Sequence, residues 1–366
     1  MEILPKTLGT RPRLAVEVRA EGVVAARAED AAALLTAVAR GDLPHGALTP
    51  GLKPGNIVDR SAVVAAVRKA LDAVAGTGRE RSRDVTVVVP DSAVRVLFVD
   101  FDQLPSKSAE ALPVVRFRLK KLLPFDADDA MVSYQIMSSE KDSIKLLAVA
   151  MPKAVLEEYE SAVLAAGYLP GAVLPSTLAA LAGLDEVTAP VLVVNAGTGA
   201  VTTAIVQAGT LLLHRSVDMS IGGGTPEEMP PALPLVDRES TAQEWAQQEA
   251  LGPGGWDRFD AEAAMQTSVV ETAIARETGS RAAARDVAQA VSVAAAYFED
   301  SLQHSPDQLL VAGTLGAESL AAMMEESGVE GLRVREMVDP GMMQAAAVTS
   351  NVPRSWLAGV RGALRN

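Results

Sequence analysis

Apolar residues in this chain fall into two kinds of run. Some are short and continuous or alternate with period two, and others repeat every three to four residues. Arg13–Arg19 (RLAVEVR) alternates, a turn follows at Ala20, Glu21 and Gly22, and Val23–Ala28 is again apolar, so the pattern predicts a β-hairpin. Asp84–Pro90 contains Val87-Val88-Val89 and predicts a strand buried on both faces. Val94–Phe101, Met131–Met137 and Ile144–Ala150 predict three more strands, and Val173 with Leu174 a short one. Helical spacing marks Arg60–Val74, with Val63, Val67, Ala70, Leu71 and Val74 on one face and Asp59 as N-cap. It also marks Ser106–Leu123, Lys153–Ala166 (ended by Gly167) and Ser176–Ala182. Residues 43–55, crowded with proline and glycine, predict a loop.

The second half opens as the first does. Pro190–Gly199 reads as a strand running into a glycine-rich turn, and Ala200–Val206 and Thr210–Val217 complete an antiparallel meander. Helices are predicted at Ala282–Leu302, Ala317–Glu326 and Pro353–Arg365, and strands at Gln308–Ala312 and Leu332–Val334. Meander strands followed by α/β units, twice over, predict a duplicated α/β fold with a cleft between its halves. The expected first lobe is 1–90 with 151–188, closed by a C-terminal helix at 353–366. Residues 91–150 interrupt it as a small inserted subdomain. The second lobe is 189–352, with a variable part at about 222–283 that begins rich in Gly, Pro and Glu.

Composition narrows the chemistry. The 366 residues are 49% hydrophobic and 22% charged, enough to bury a large core. No cysteine is present, which excludes disulfides, thiolate metal sites and cysteine nucleophiles. The three histidines, His45, His214 and His304, lack metal-ligand spacing, which argues against a zinc enzyme. A net charge of −13 makes nucleic acid a poor partner. Ser161–Leu184 and Val187–His214 carry no charge and are long enough to span a bilayer. Their prolines, glycines and polar residues fit strands and turns of a soluble core better. Met1–Arg13 has no apolar stretch of signal-peptide type, so a cytoplasmic protein is expected.

Several segments, in order, resemble the PilM family of actin-like type IV pilus assembly proteins, and more distantly FtsA and the cytoplasmic part of GspL. Val88–Arg95 (VVPDSAVR) resembles the family's strand-to-insert crossing, and Leu104–Glu110 (LPSKSAE) its helix start. Leu122–Asp126 (LLPFD) is similar to the helix end "YIPFD", and Val132–Ile136 (VSYQI) to the strand "LDYQV". Ile144–Lys153, Ala165–Pro170 (AAGYLP) and Gly55–Asp59 (GNIVD) resemble further family segments. The resemblance implies an actin-like fold: two ribonuclease-H-like lobes around a nucleotide cleft, with a small inserted subdomain. It also implies a scaffold role at the cytoplasmic face of the bacterial inner membrane. There the family binds the short N-terminal tail of its membrane partner PilN.

In such folds two glycine-rich hairpin turns, each after a strand ending in Asp, cradle phosphates and hold Mg²⁺ through water, and a third turn meets adenosine. Carried onto this chain, the first turn has Glu17 for Asp, Arg19 for Gly, then Glu21 and Gly22. An arginine fills space that glycine would leave for phosphate. The second turn keeps Gly197, Thr198 and Gly199 but has Asn195 for Asp. Gly222 and Gly223 match the family's glycine pair, and Gly313 is what remains of the third turn. These departures predict a degenerate cleft: no catalytic residue, no resident cofactor, and at most weak binding of ATP and magnesium. The rival from another class is an ATP-hydrolysing switch that gates pilus assembly. A sugar or acetate kinase would need a catalytic Asp and a substrate pocket that the sequence does not supply. Asp126, Asp128 and Asp129 lack a calcium loop's spacing. Arg116, Arg118, Lys120 and Lys121 read as a solvated helix face. Trp356, Leu357, Val360 and Leu364 read as the packed stripe of a closing helix, with Gly359 and Gly362 permitting close approach.

Overall fold

The computed structural model describes residues 11–76, 83–140, 143–184, 189–219, 283–306, 308–326, 332–344 and 352–365. The first sheet is built from β1 (Leu14–Arg19), β2 (Gly22–Ala28), β3 (Leu35–Asp42), β4 (Asp84–Val89) and β8 (Leu169–Pro175) in the order β3-β2-β1-β4-β8. β1, β2 and β3 form an antiparallel meander, while β4 and β8 run parallel to β1. The second sheet repeats this plan with β9 (Val191–Ala196), β10 (Ala200–Gln207), β11 (Thr210–Asp218), β12 (Gln308–Gly313) and β13 (Arg333–Glu336), in the order β11-β10-β9-β12-β13. β9 to β11 are again the meander, and β12 and β13 again run parallel to β9.

Alternation along β1 explains how the first sheet is covered. Leu14, Val16 and Val18 join one core with α1 (Arg60–Val74) and α3 (Lys153–Ala165). Ala15 joins another with α4 (Ser176–Ala182) and the closing helix (Ala358–Leu364). Both faces of the sheet are buried, which is why β4 reads as a near-continuous apolar run. α1 starts where Asp59 accepts the Ala62 N–H at 2.9 Å, and that bond holds the Asp59 carboxyl below its ordinary range. Residues 283–302 are helical and bury Val287, Val291, Ala294 and Phe298 as one stripe.

A separate three-stranded sheet lies between β4 and β8 in sequence: β5 (Arg95–Phe101), β7 (Ser143–Pro152) and β6 (Ala130–Glu140), in that spatial order. α2 (Ser108–Leu119) covers one face, with Val115 and Leu119 against Val99, Val132 and Leu146. Within the basic run, Arg116 donates to the carbonyls of Ala127 and Ala130, and Lys120 pairs with Asp128 at 2.5 Å. Two of the four cations thus hold the insert together. Asp126 accepts the N–H of Asp128, so the acidic trio makes a turn rather than a cation cage.

The closing helix approaches closely enough that only glycine fits. A Cβ on Gly362 would stand 1.8 Å from the Ala179 carbonyl oxygen in α4. Arg361 and Arg365 then donate to the Gly183 carbonyl just past α4, at 2.5 and 3.0 Å, where cations complement the helix dipole.

Some boundaries differ from the sequence reading. β3 is a strand that the sequence pattern does not predict, because it has no clean alternation: it supplies Leu35 and Val38 to one core and Ala39 to the other, between half-exposed or polar neighbours. The α2 helix is shorter than expected, ending at Leu119 before two turns and Pro124. The segment expected as one helix at 353–365 begins as a 3₁₀ turn, Arg354–Leu357. β8 is a full strand because it is a parallel partner of β4, which the prolines and glycine in Leu169–Pro175 concealed. Met343, from the stretch assigned to the second lobe, bridges Leu35 on the edge of the first sheet.

Candidate functional site

The β1–β2 hairpin and the β9–β10 turn face each other across a cleft. Between them lies a cavity of about 50 Å³, lined by Arg19, Glu21, Asp91, Ser176, Asn195 and the 197–199 turn among others. Small-molecule sites occupy roughly 300–1,000 Å³, so this space suits a few waters rather than a nucleotide.

Glu17 and Arg19 lie two residues apart on β1 and therefore point the same way. Glu17 is 0% exposed and Arg19 6% exposed. The Arg19 guanidinium sits 2.5 Å from Glu17 Oε1 and donates to Ser176 Oγ at 3.1 Å, while Ser176 donates to Glu17 at 2.5 Å. Glu17 Oε2 has no hydrogen-bond partner and lies under Gly359 of the closing helix, where a Cβ would come within 2.4 Å. Burial pushes the Glu17 carboxyl above its ordinary range, against the pull of Arg19.

Asn195 ends β9 and reaches across the cleft. Its Nδ2 lies 2.8 Å from Ser176 Oγ, 2.9 Å from Thr177 Oγ1 and 3.3 Å from Asp91 Oδ2. Asp91 in turn accepts the Thr177 N–H at 3.0 Å and its hydroxyl at 2.5 Å. An amide suits this spot: an aspartate at 195 would put a third carboxylate beside Asp91 and Glu17. His214 belongs to the same neighbourhood. Its Nε2 is buried without a partner, and burial lowers its pKa while the Asp91 charge acts the other way.

At the mouth of the cleft, Glu21 Oε1 accepts the Thr198 N–H and, at 3.3 Å, the Thr314 hydroxyl. Gly197 leaves room for that carboxylate, since a Cβ there would stand 3.1 Å from Glu21 Oε1. Gly199 lines the cavity.

The structure therefore brings together Glu17, Arg19, Asn195, Gly197, Thr198 and Gly199. Gly22 packs against Gly41 and Trp356, where a Cβ would meet the Gly41 oxygen at 3.0 Å. Gly313, at φ +95°, lies beneath β9 with a Cβ position 2.2 Å from the Ala196 oxygen, so it serves a close backbone approach. Gly222 and Gly223 lie outside the described residues. Sequence reasoning did not place Asp91, Ser176, Thr177, His214 or Thr314 in the site. The signal for Asp91 was present: a buried valine run ending in Pro90-Asp91-Ser92 delivers an acidic residue at the end of a parallel strand, where α/β sheets gather their polar groups.

Two copies of one meander-plus-parallel-strands sheet, with a polar cleft between their first hairpins, define the duplicated ribonuclease-H-like, actin-like fold. Among solved structures, the PilM–PilN type IV pilus biogenesis complex is similar over 97% of this chain and 99% of that one, with a TM-score of 0.65 and 18% identity. A protein of actin-like ATPase fold and unknown function from Bacteroides thetaiotaomicron matches 88% of this chain and 90% of that one, with a TM-score of 0.44 and 8% identity. The cytoplasmic domain of EpsL, from the type II secretion system of Vibrio cholerae, matches 56% of this chain and 70% of that one, with a TM-score of 0.36 and 13% identity. No protein-family model and no curated protein matches the sequence.

Proposed function

We propose that this chain is a PilM-like scaffold of a type IV pilus assembly platform at the inner face of the bacterial inner membrane. It holds the N-terminal cytoplasmic tail of a PilN-like membrane protein. The observation that carries this reading is the end-to-end likeness to the PilM–PilN complex, insert included, at a TM-score of 0.65. The motifs at 88–95, 104–110, 122–126 and 132–136 support it independently. Among the described residues no helix is long and apolar enough to cross a membrane, which fits a peripheral scaffold. The tail docks between the 91–150 insert and the first lobe, with backbone hydrogen bonds giving affinity and side-chain pockets specificity. Deleting residues 91–150 is expected to abolish capture of the tail peptide in a pull-down while the second lobe stays folded. Undiminished capture by the deletion variant would sink this docking site.

The same reading takes the cleft as closed to Mg·ATP, and the residues present do not fit that group. The Arg19 guanidinium is buried on Glu17, Asn195 offers Asp91 a donor, and the cavity is about 50 Å³. A hard cation wants the carboxylate oxygens that Arg19 and Asn195 have engaged or removed. Calorimetric titration with ATP and Mg²⁺ is expected to show no micromolar binding. Micromolar, magnesium-dependent binding would instead establish the nucleotide switch. The double change Arg19→Gly with Asn195→Asp is expected to melt below the parent chain, and added Mg²⁺ to recover part of the loss.

A further inference from the structure

The turn after β9 presents donors to a carboxylate. The Thr198 N–H and the Thr314 hydroxyl, from two different strand ends of the second sheet, converge on one point. A glycine at 197 keeps that point free of side-chain bulk. The group found there is a carboxylate of this same chain, Glu21, at the tip of the hairpin in the first sheet. The nearest cation on its own hairpin, Arg19, is turned inward to Glu17 and Ser176. Among the described residues the donors on Glu21 all come from the second lobe.

We propose that Glu21 is an intramolecular ligand of this turn. Its carboxylate takes the position of a bound oxyanion and, with the Asn195 bridge to Asp91, ties the two lobes together without any bound small molecule. This rests on the reading of the cleft as closed to Mg·ATP and says what closes it. The deeper contacts form a second internal substitution: the Arg19 guanidinium supplies beside Glu17 the positive charge that a cation would bring. The cleft thus holds one built-in cation and one built-in anion, each on the β1–β2 hairpin. Removing Glu21 uncovers a receptor for an oxyanion of phosphate type, and the lobes lose one of their ties.

The test uses inorganic phosphate as the probe on the full chain. The net charge of −13 keeps non-specific phosphate uptake low. Phosphate, against chloride at matched ionic strength, is expected to leave the melting temperature of the parent chain unchanged. It should raise that of Glu21→Ala by about 2 °C or more, as any ligand of the folded state alone must. Gly197→Ala is the second variant. Its methyl group would stand 3.1 Å from Glu21 Oε1, so the carboxylate must shift to make room while its charge stays in place, and the same tie should weaken.

Lobe separation is read directly. The chain has no cysteine, so spin labels at Asp42→Cys and Arg215→Cys, exposed positions on the first and second sheets, report on one pair alone. The distance distribution is expected to broaden toward longer values in Glu21→Ala and in Gly197→Ala, and phosphate to narrow it again in Glu21→Ala. Equal phosphate stabilisation of the parent chain and Glu21→Ala would overturn the proposal, as would unchanged distances in both variants. Micromolar Mg·ATP binding by the parent chain would instead remove the closed-cleft reading on which the proposal rests. Absence of ATP binding together with unchanged distances removes the latch alone.

Discussion

Arg19→Met is expected to lower the stability of the chain by about 3–5 kcal/mol, the usual cost of removing one partner from a buried ion pair. Glu17 is fully buried, one of its oxygens already has no partner, and its remaining support is the Ser176 hydroxyl and the Arg19 guanidinium. Without Arg19 the carboxylate must stay charged in an apolar surround or take up a proton, and either costs free energy. Burial already raises the Glu17 pKa, so protonation is the cheaper route and sets the lower end of the range. Sign follows from the same fact. A carboxyl held above its unfolded value of 4.5 binds more protons when folded, so the variant should lose stability as pH rises from 4.5 upward. The double variant Arg19→Met with Glu17→Met should recover most of the loss, because well-packed apolar pairs commonly match or exceed buried ion pairs. Urea unfolding of the four chains closes the cycle. A single variant within about 0.5 kcal/mol of the parent would show that the pair contributes nothing.

Gly362→Ala is the second large effect. Its Cβ would stand 1.8 Å from the Ala179 oxygen and 2.8 Å from the Gly183 nitrogen, both backbone atoms that cannot rotate away. The closing helix must then back off α4, weakening the Arg361 and Arg365 bonds to Gly183 and the packing of Val360 and Leu364. Overpacking of this kind costs about 1–3 kcal/mol and more where the backbone is the obstacle, so a loss of at least about 3 kcal/mol is expected. Gly51→Ala is the control: nothing lies within 4 Å of its Cβ position, and its stability should stay within about 0.5 kcal/mol of the parent. Thermal melts of the two variants decide it, and equal midpoints would refute the close-contact argument.

The duplicated meander was legible because β1, β2, β9 and β10 are buried runs separated by short turns that glycine and polar residues mark plainly, with the apolar start of β11 following. Glu17, Arg19 and Asn195 were legible as departures from a resembled pattern, and the structure shows where their side chains meet. β3 was not legible: an edge strand, paired on one side, carries Thr36, Arg40 and Gly41 among its apolar residues and shows no clean period. The polar partners of Asn195 were not legible either. Asp91, Ser176 and Thr177 come from two loci 85 residues or more apart in sequence, joined by the parallel pairing of β4 with β8, and no local pattern announces such a pairing. Glu21 was visible only as a negative charge near a glycine turn. That it reaches the other lobe depends on how the two hairpins face each other.

The closing helix also carries a kinetic meaning. Residues 358–364 cover the face of β1, β2 and β4, and Arg11 donates to the carbonyl of Gly362, 351 residues away. On a ribosome the first sheet is made early, but α4 alone covers part of one of its faces until residues 354–364 have emerged. The strands of the second sheet, residues 191–336, are made before that moment, and β12 too waits for the 3₁₀ turn and closing helix that pack on it. The sheet that is synthesised first therefore completes its packing only with the last elements of the fold. Until then its apolar face is the surface a chaperone would have to guard, and loss of the final dozen residues would leave it permanently open.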